Sequence, residues 1–549
     1  MAYEFFHGPI LVPSTLTYHA LWEQAASLAH WLGQHGLVGR RVMVVCNSQQ
    51  HFVVAFFACL MAGAVAVPTA MPRRKLLEER FALLARDAGL AAIISDSDDV
   101  RASDFPADAG IGLQCDMRAW AARSDHAALA ALWTMPAIGA AAPAFLQYTS
   151  GSTGEPKGVV VTHANLVHNS RAIQQGMGLS SDSRVFTALP LFHDMGLIGG
   201  VLQSLYSGAS AGCMAPAAFI QYPERWLQII SHYKMTVSGG PNFMYELAAR
   251  SVDPSRLAGL DLSSWEVAFC GAEPIRPAAI AAFAERFGPY GFRAGAMYAC
   301  YGMAEATLFI SGAPRHGGLS TMAHEGRQIA ACGAPGEGCR IEIVDPDSRQ
   351  RLADGQVGEI WVSGTSVAQG YWQRPELSAA HFQARLADGV QDGQDGVDAG
   401  GAAPAEFLRT GDLGYRSGGQ LYVTGRLKDL IIAYGRKYAP QDVEYEAGRS
   451  HASLHEAGGA AFSIAGDGRE KTVLVAELKR EYLRRTEEMP RISLAVRGAV
   501  SAALGLTLDE IVFIKPGALP RTSSGKVRRM QCRSDYLDDR LERIPLPSH

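Results

Sequence analysis

Apolar residues recur at helical spacing between Tyr18 and Leu37, at Leu21, Ala25, Leu28 and Trp31, with Gly33 and Gly36 as stops. That period predicts an amphipathic helix. The run RVMVVC over 41–46 predicts a buried strand, and 52–64 a buried apolar helix. A strand at Ala66–Pro68, a long helix over 73–89 and a strand AAIIS over 91–95 follow. Strand and helix in alternation predict parallel α/β architecture. The alternation returns with a strand over 185–189, helices near 196–207 and 223–233, and a strand over 267–270. From about Arg340 the texture changes. Short strands at 340–344, 358–363 and 420–423 lie between Gly, Asp and Pro turns and suggest a small β-rich subdomain. Within it, DGVQDGQDGVDAGGAAPA over 388–405 reads as a flexible surface loop.

Composition narrows the picture. A hydrophobic share of 48% against 19% charged excludes a wholly disordered chain. The longest uncharged apolar run, Phe52 to Val67, has sixteen residues. A bilayer span needs about 20, so no membrane span is expected. The first residues, MAYEFFHGPILVPS, lack the basic-then-apolar pattern of a secretory leader. Nine cysteines, with no CxxC pair, fit a reduced, cytoplasmic setting better than a disulfide framework or zinc ribbon. A net charge of −4 gives no global attraction to nucleic acid. The charge is uneven: from Gly425 onward there are 21 Lys+Arg against 17 Asp+Glu, while the preceding residues carry 29 against 37. This suggests a separate C-terminal domain beginning near Gly425.

The strongest local chemical signal is QYTSGSTGEPKGVVVTH over 147–163. Hydroxyls and backbone N–H groups on a glycine-rich loop can wrap a polyphosphate, and Lys157 adds a positive charge. A Walker A loop is excluded, because Pro156 precedes the lysine, Gly158 follows it and a strand comes next. Gly208–Gly212 matches GxSxG, the nucleophile elbow of hydrolases, but so short a pattern discriminates poorly. Further tight polar stretches are PLFHDMGLIGG from Pro190, SGGPNFMYEL from Ser238 and CGAEPIR from Cys270. YACYGMAEATL from Tyr298, RTGDLGY from Arg409, GRLKD from Gly425 and PRTSSGK from Pro520 complete the set.

In this order and spacing the stretches resemble the adenylate-forming superfamily of acyl-CoA synthetases, peptide-synthetase adenylation domains and luciferases, from about Thr17 to Arg529. The resemblance implies an α/β fold: a large N-terminal domain (1–424) of two α/β subdomains plus a small β-barrel (about 340–424). A hinge at 425–428, centred on Lys428, leads to a small, mobile α+β C-terminal domain (429–549). It implies ATP and Mg²⁺ as cofactors, with Thr153 and Glu305 as metal ligands. Lys526 would bridge the substrate carboxylate and the α-phosphate. The nucleotide would lie among Thr149, Ser150, Gly151, Ser152, Thr153, Gly154, Lys157, Gly271, Ala272, Glu273, Tyr301, Gly302 and Met303. Asp412, supported by Arg426, would take the ribose hydroxyls. Phe192, His193, Met195, Gly240, Asn242 and Tyr245 would line an acyl tunnel, with His193 beside the reacting carboxylate.

Within the superfamily, FHDMGLIGG, GGPNFMYEL, CGAEPIR, YGMAEATL and GRLKDLII look most similar to the fatty acyl-AMP ligases. That likeness implies activation of a fatty or other apolar acid to acyl-AMP, then transfer to the thiol of an acyl carrier protein. One departure keeps coenzyme A open as an alternative acceptor. Those enzymes carry an insertion before the strand at 340–344, whereas Ser311–Gly338 looks short and glycine-rich here.

Overall fold

The computed structural model describes all residues except 9–10, 72–76, 106–109, 151–155, 325, 388–405, 434–435, 466–469, 523–525 and 546–549, and the side chains of 77–80 and 150. The acidic, glycine-rich stretch 388–405 therefore lies outside the described residues, as do Gly151, Ser152, Thr153 and Gly154 of the phosphate-loop candidate.

By internal contacts the chain separates into two units. The first comprises Met1–Thr149, Pro156–Thr410 and Gly414–Val423; the second comprises Ser150–Glu155, Gly411–Leu413 and Thr424–His549.

The first unit contains two large sheets. One has six strands in the order Leu113–Asp116, Leu90–Ser95, Arg41–Val45, Val65–Pro68, Pro143–Ser150 and Pro156–Thr162. Its first five strands pair in parallel. They are linked by the helices that the apolar period predicts, Tyr18–Gln34 preceding and Gln49–Ala62 following Arg41–Val45. The second helix starts earlier than its apolar run, because the Ser48 hydroxyl accepts from His51 N–H and caps it. The helix expected over 73–89 is described as Leu77–Ala88.

The other sheet has nine strands. Its centre is parallel, running Met297–Gly302, Val267–Cys270, Val237–Gly240, Arg184–Thr187, Ser210–Met214 and Tyr3–Phe6. Ser210 thus opens a strand rather than a strand-to-helix elbow, so the GxSxG match is coincidental. Behind this sheet Trp226, Tyr245, Trp265 and Phe283 pack as one aromatic cluster with ring centroids 5.1–6.5 Å apart. A four-stranded sheet of Cys339–Val344, Gly358–Gly364, Leu408–Ser417 and Gln420–Arg426 accounts for the β-rich texture after Arg340. The stretch Ser311–Gly338 contains more order than its composition suggests: Thr321–His324 and Arg327–Ala330 form an antiparallel hairpin.

The second unit is built on a sheet ordered Leu454–Ala465, Glu470–Leu478, Glu510–Ile514. Helices Pro440–Arg449 and Met489–Leu504 contribute Val443, Ala447, Ile492, Val496 and Val500 to its core. Arg529 grips Glu444 through two 2.6 Å hydrogen bonds and reaches Asp429 at 3.5 Å. A planar guanidinium suits such a forked contact. This clasp ties the short 3₁₀ turn Leu427–Asp429, which carries the exposed Lys428, to the rest of the unit.

All nine cysteines are free thiols, six buried and three half-buried. Among the described residues no helix is long and apolar enough to cross a membrane.

Candidate nucleotide and acyl site

In the first unit the site residues gather at the carboxyl ends of parallel strands, where open α/β sheets place their ligands. Gly271, Ala272 and Glu273 follow the strand Val267–Cys270, and Tyr301 and Gly302 end Met297–Gly302. Ala272 has φ +72°, a left-handed conformation that is costly for a residue with a Cβ. This turn is fastened from below by Asn242, which is fully buried. Its Nδ2 donates to the Pro274 carbonyl at 2.8 Å and its Oδ1 accepts from Arg276 N–H at 3.0 Å. Asn242 thus straps the turn from Gly271 to Arg276. Among the described residues, Glu273 Oε1 is buried and has no hydrogen-bond partner.

Two glycines of the site are constrained by the protein's own packing. A Cβ on Gly302 would overlap the Leu308 carbonyl, and one on Gly271 would lie 2.7 Å from the Cys300 carbonyl oxygen. Both are required first by the protein's own backbone.

Glu305 sits in the 3₁₀ turn Ala304–Ala306 and is held by the segment 366–371. The Ala368 N–H donates to its carbonyl at 2.9 Å, and the Tyr371 hydroxyl donates to its Oε1 at 3.0 Å. Thr307, fully buried at φ +69°, donates through Oγ1 to the Ser366 carbonyl at 2.6 Å. The same segment runs beside the strand that follows the phosphate loop, with Val160 N–H donating to Gly370 O and Trp372 N–H to Gly158 O. Lys157 places its ammonium 5.7 Å from the Tyr371 ring centroid. Lys157, Glu305 and Tyr371 are therefore brought together. Tyr371 escaped the sequence reading; the available signal was the aromatic pair Tyr371-Trp372 just before the helix opening at Pro375. Thr149 is half-buried near the end of the strand Pro143–Ser150, and Met303 is half-buried beside Gly302.

The stretch expected to line an acyl tunnel is a π-helix over Met195–Leu202, a wide turn frequent at functional sites. Phe192, His193 and Met195 are half-buried at its start. His193 Nδ1 lies 2.5 Å from Asp194 Oδ1, which also accepts from Met195 N–H. The contact with Asp194 fixes the orientation of the imidazole ring. Gln147 donates through Nε2 to the Phe192 carbonyl, linking this stretch to the strand before the phosphate loop. Gly240 faces Met244 and Leu189. Tyr245 departs from the tunnel set: its ring belongs to the aromatic core and its hydroxyl donates to Phe269 O at 2.8 Å. Burial holds that phenol well above its usual pKa.

In the second unit, Asp412 is buried and its Oδ1 accepts from Arg426 Nε at 2.6 Å. The arginine side chain is 58% exposed. Lys526 stands on a narrow loop in which its N–H donates to Thr522 Oγ1 at 3.0 Å and its carbonyl accepts from Thr522 N–H at 2.8 Å.

As to cofactors, a carboxylate such as Glu305, supported by a neutral hydroxyl, is a hard oxygen ligand of the kind Mg²⁺ takes alongside phosphate oxygens. Among the described residues no cluster of three or more His, Cys, Asp or Glu could bind a metal alone. A metal using one carboxylate plus substrate phosphates fits that donor set.

Comparison with known proteins follows the same division. Residues 6–372 match the family model described as AMP-binding enzyme, and residues 428–545 that of the Disco-interacting protein 2-like AMP domain. The chain is 37% identical to the medium-chain-fatty-acid–[acyl-carrier-protein] ligase JamA of Moorena producens, covering 98% of this chain and 93% of the relative. It is 35% identical to the similarly named TtuA of Teredinibacter turnerae, covering 99% and 92%. Among solved structures, the fatty acyl-adenylate ligase of L. pneumophila in complex with acyl adenylate and pyrophosphate is 33% identical. It has a TM-score of 0.72 and covers 98% of this chain and 93% of its own.

Proposed function

The chain belongs to the AMP-binding enzyme family, and from that membership we propose that it activates a fatty acid with ATP and passes the acyl group to an acyl carrier protein. The observation that carries this reading is the near end-to-end likeness to two ligases named for medium-chain fatty acids and an acyl carrier protein. The same likeness favours a medium-chain acid as substrate.

In the first half-reaction a carboxylate oxygen attacks the α-phosphorus of ATP; a P–O bond forms, the bond to the β-phosphate side breaks, and pyrophosphate leaves. Two anions must meet, so cations must stand where charge builds. Lys157 is assigned to the phosphates and Lys526 to the carboxylate and α-phosphate oxygens. Thr153 and Glu305 would hold Mg²⁺, which supplies charge neutralisation at the phosphates when bound. Tyr301 and the turn Gly271–Glu273 are assigned to the adenine. Asp412 would accept from the ribose hydroxyls, because a carboxylate accepts two hydrogen bonds at once. Arg426 holds that carboxylate at 2.6 Å. His193, oriented by Asp194, is assigned to the carboxylate end of the acyl site.

In the second half-reaction the carrier thiol attacks the acyl carbon; a C–S bond forms, the C–O bond to the phosphate breaks, AMP leaves and the thiol proton is lost. Rotation about Lys428 would withdraw Lys526 between the steps.

The test is direct. Purified protein receives ATP, Mg²⁺ and carboxylic acids of graded chain length, and acyl-AMP is measured. Coenzyme A and a phosphopantetheinylated carrier protein are then supplied separately. Acyl-AMP formation with transfer to the carrier is expected. Faster transfer to coenzyme A would overturn the choice of acceptor, and absence of acyl-AMP with every acid would overturn the reading itself.

A further inference from the structure

Tyr371 touches both charged partners of the phosphate site yet carries no charge. Its hydroxyl donates to Glu305 Oε1 at 3.0 Å, and its ring lies 5.7 Å from the Lys157 ammonium. The side chain is only 9% exposed. Its backbone is fixed on both sides. The Tyr371 N–H bonds Ser378 Oγ at 2.9 Å, Val159 forms a β-bridge with it, and Phe382 packs edge-on against its ring at 5.1 Å.

We propose that Tyr371 is a positioning residue for both Glu305 and Lys157, the first through its hydroxyl and the second through its ring face. Tyr371 orients the carboxylate with a neutral donor and gives the ammonium an aromatic surface to rest on. The two contacts use different parts of one side chain, so substitutions can separate them. This inference rests on the proposed assignment of Glu305 and Lys157 to metal and phosphate.

The experiment compares wild type, Tyr371→Phe and Tyr371→Leu by binding alone. α,β-Methylene ATP is titrated without metal by calorimetry, and Mn²⁺ is then titrated into the saturated complex by electron paramagnetic resonance. Tyr371→Phe keeps the ring and loses the hydroxyl. Its Mn²⁺ dissociation constant is expected to rise about three- to tenfold. Its metal-free nucleotide affinity is expected to stay within about twofold, because the ring contact survives. Tyr371→Leu is expected to lose both affinities. A Tyr371→Phe enzyme with wild-type Mn²⁺ affinity would overturn the role of the hydroxyl. Equal metal-free nucleotide affinities for the Phe and Leu variants would overturn the role of the ring. A parallel melting curve separates either result from misfolding of the Leu variant, since Tyr371→Phe conserves shape. Failure of the wild type to form acyl-AMP would strike the proposed function and leave the binding comparison readable.

Discussion

Glu305 lies in a knot of crossing segments, whereas Asp412 stands on a strand beside an arginine that is mostly in water. Around Glu305, residues 366–371 close over the turn through backbone and side-chain hydrogen bonds, and the neighbouring Thr307 is fully buried. Asn242 plays a similar part under the nucleotide turn. In the first unit, then, groups near the chemistry also hold the fold together. In the second unit, Arg426 stands exposed at a strand end, and the core of Val443, Ile492 and Val496 is built without it or Lys526. The contrast teaches that substitutions in the first unit should mix activity with stability, while those in the second should separate them.

Four substitutions test that contrast. Lys526→Ala is expected to slow acyl-AMP formation by about 10²- to 10³-fold, as removal of transition-state charge stabilisation does. Stability should stay within about 0.5 kcal/mol of wild type. Transfer from preformed acyl-AMP should be spared, and equal loss in both half-reactions would contradict a lysine used in the first alone. Asp412→Ala should raise the ATP requirement about tenfold or more, since hydrogen bonds to a charged acceptor are lost; an unchanged KM for ATP would refute the ribose role. Asn242→Ala should cost about 2–4 kcal/mol of stability by leaving a buried N–H and C=O unpaired. Denaturant titration checks this, and a wild-type midpoint would blur the contrast. The smallest effect is expected for Arg426→Gln, less than about a fivefold rise in KM for ATP, because an exposed ion pair contributes little.

Much of this was legible in the residues. The strands at 41–45, 90–95 and 267–270 follow from apolar runs, and the motif order pointed to the adenylate-forming fold. Long-range packing was not legible. Gly302 reads as a glycine for a ligand, but its constraint is Leu308, brought close by a bulged antiparallel pair between Tyr301 and Gly302. Tyr245 sits in a motif, yet its ring completes an aromatic cluster assembled from three helices and the loop that carries Trp265. The π-helical turn at Met195 shares its apolar pattern with an ordinary helix. Its glycines reveal the reason only in three dimensions: a Cβ at Gly196 would overlap the Pro190 carbonyl. Tyr371 lies 66 residues from Glu305 and could be paired with it only once the chain had folded.

The nine thiols offer an experimental handle. Burial pushes Cys115, Cys213, Cys300, Cys332, Cys339 and Cys532 up to about 12, and raises Cys46, Cys59 and Cys270 as well. Alkylating reagents attack the thiolate, so at neutral pH the native cysteines form a chemically quiet background. A single cysteine introduced on the exposed surface of the second unit can therefore carry a maleimide dye without first stripping the natural ones. The intact enzyme would then report optically on any swing about Lys428 as it passes from adenylation to transfer.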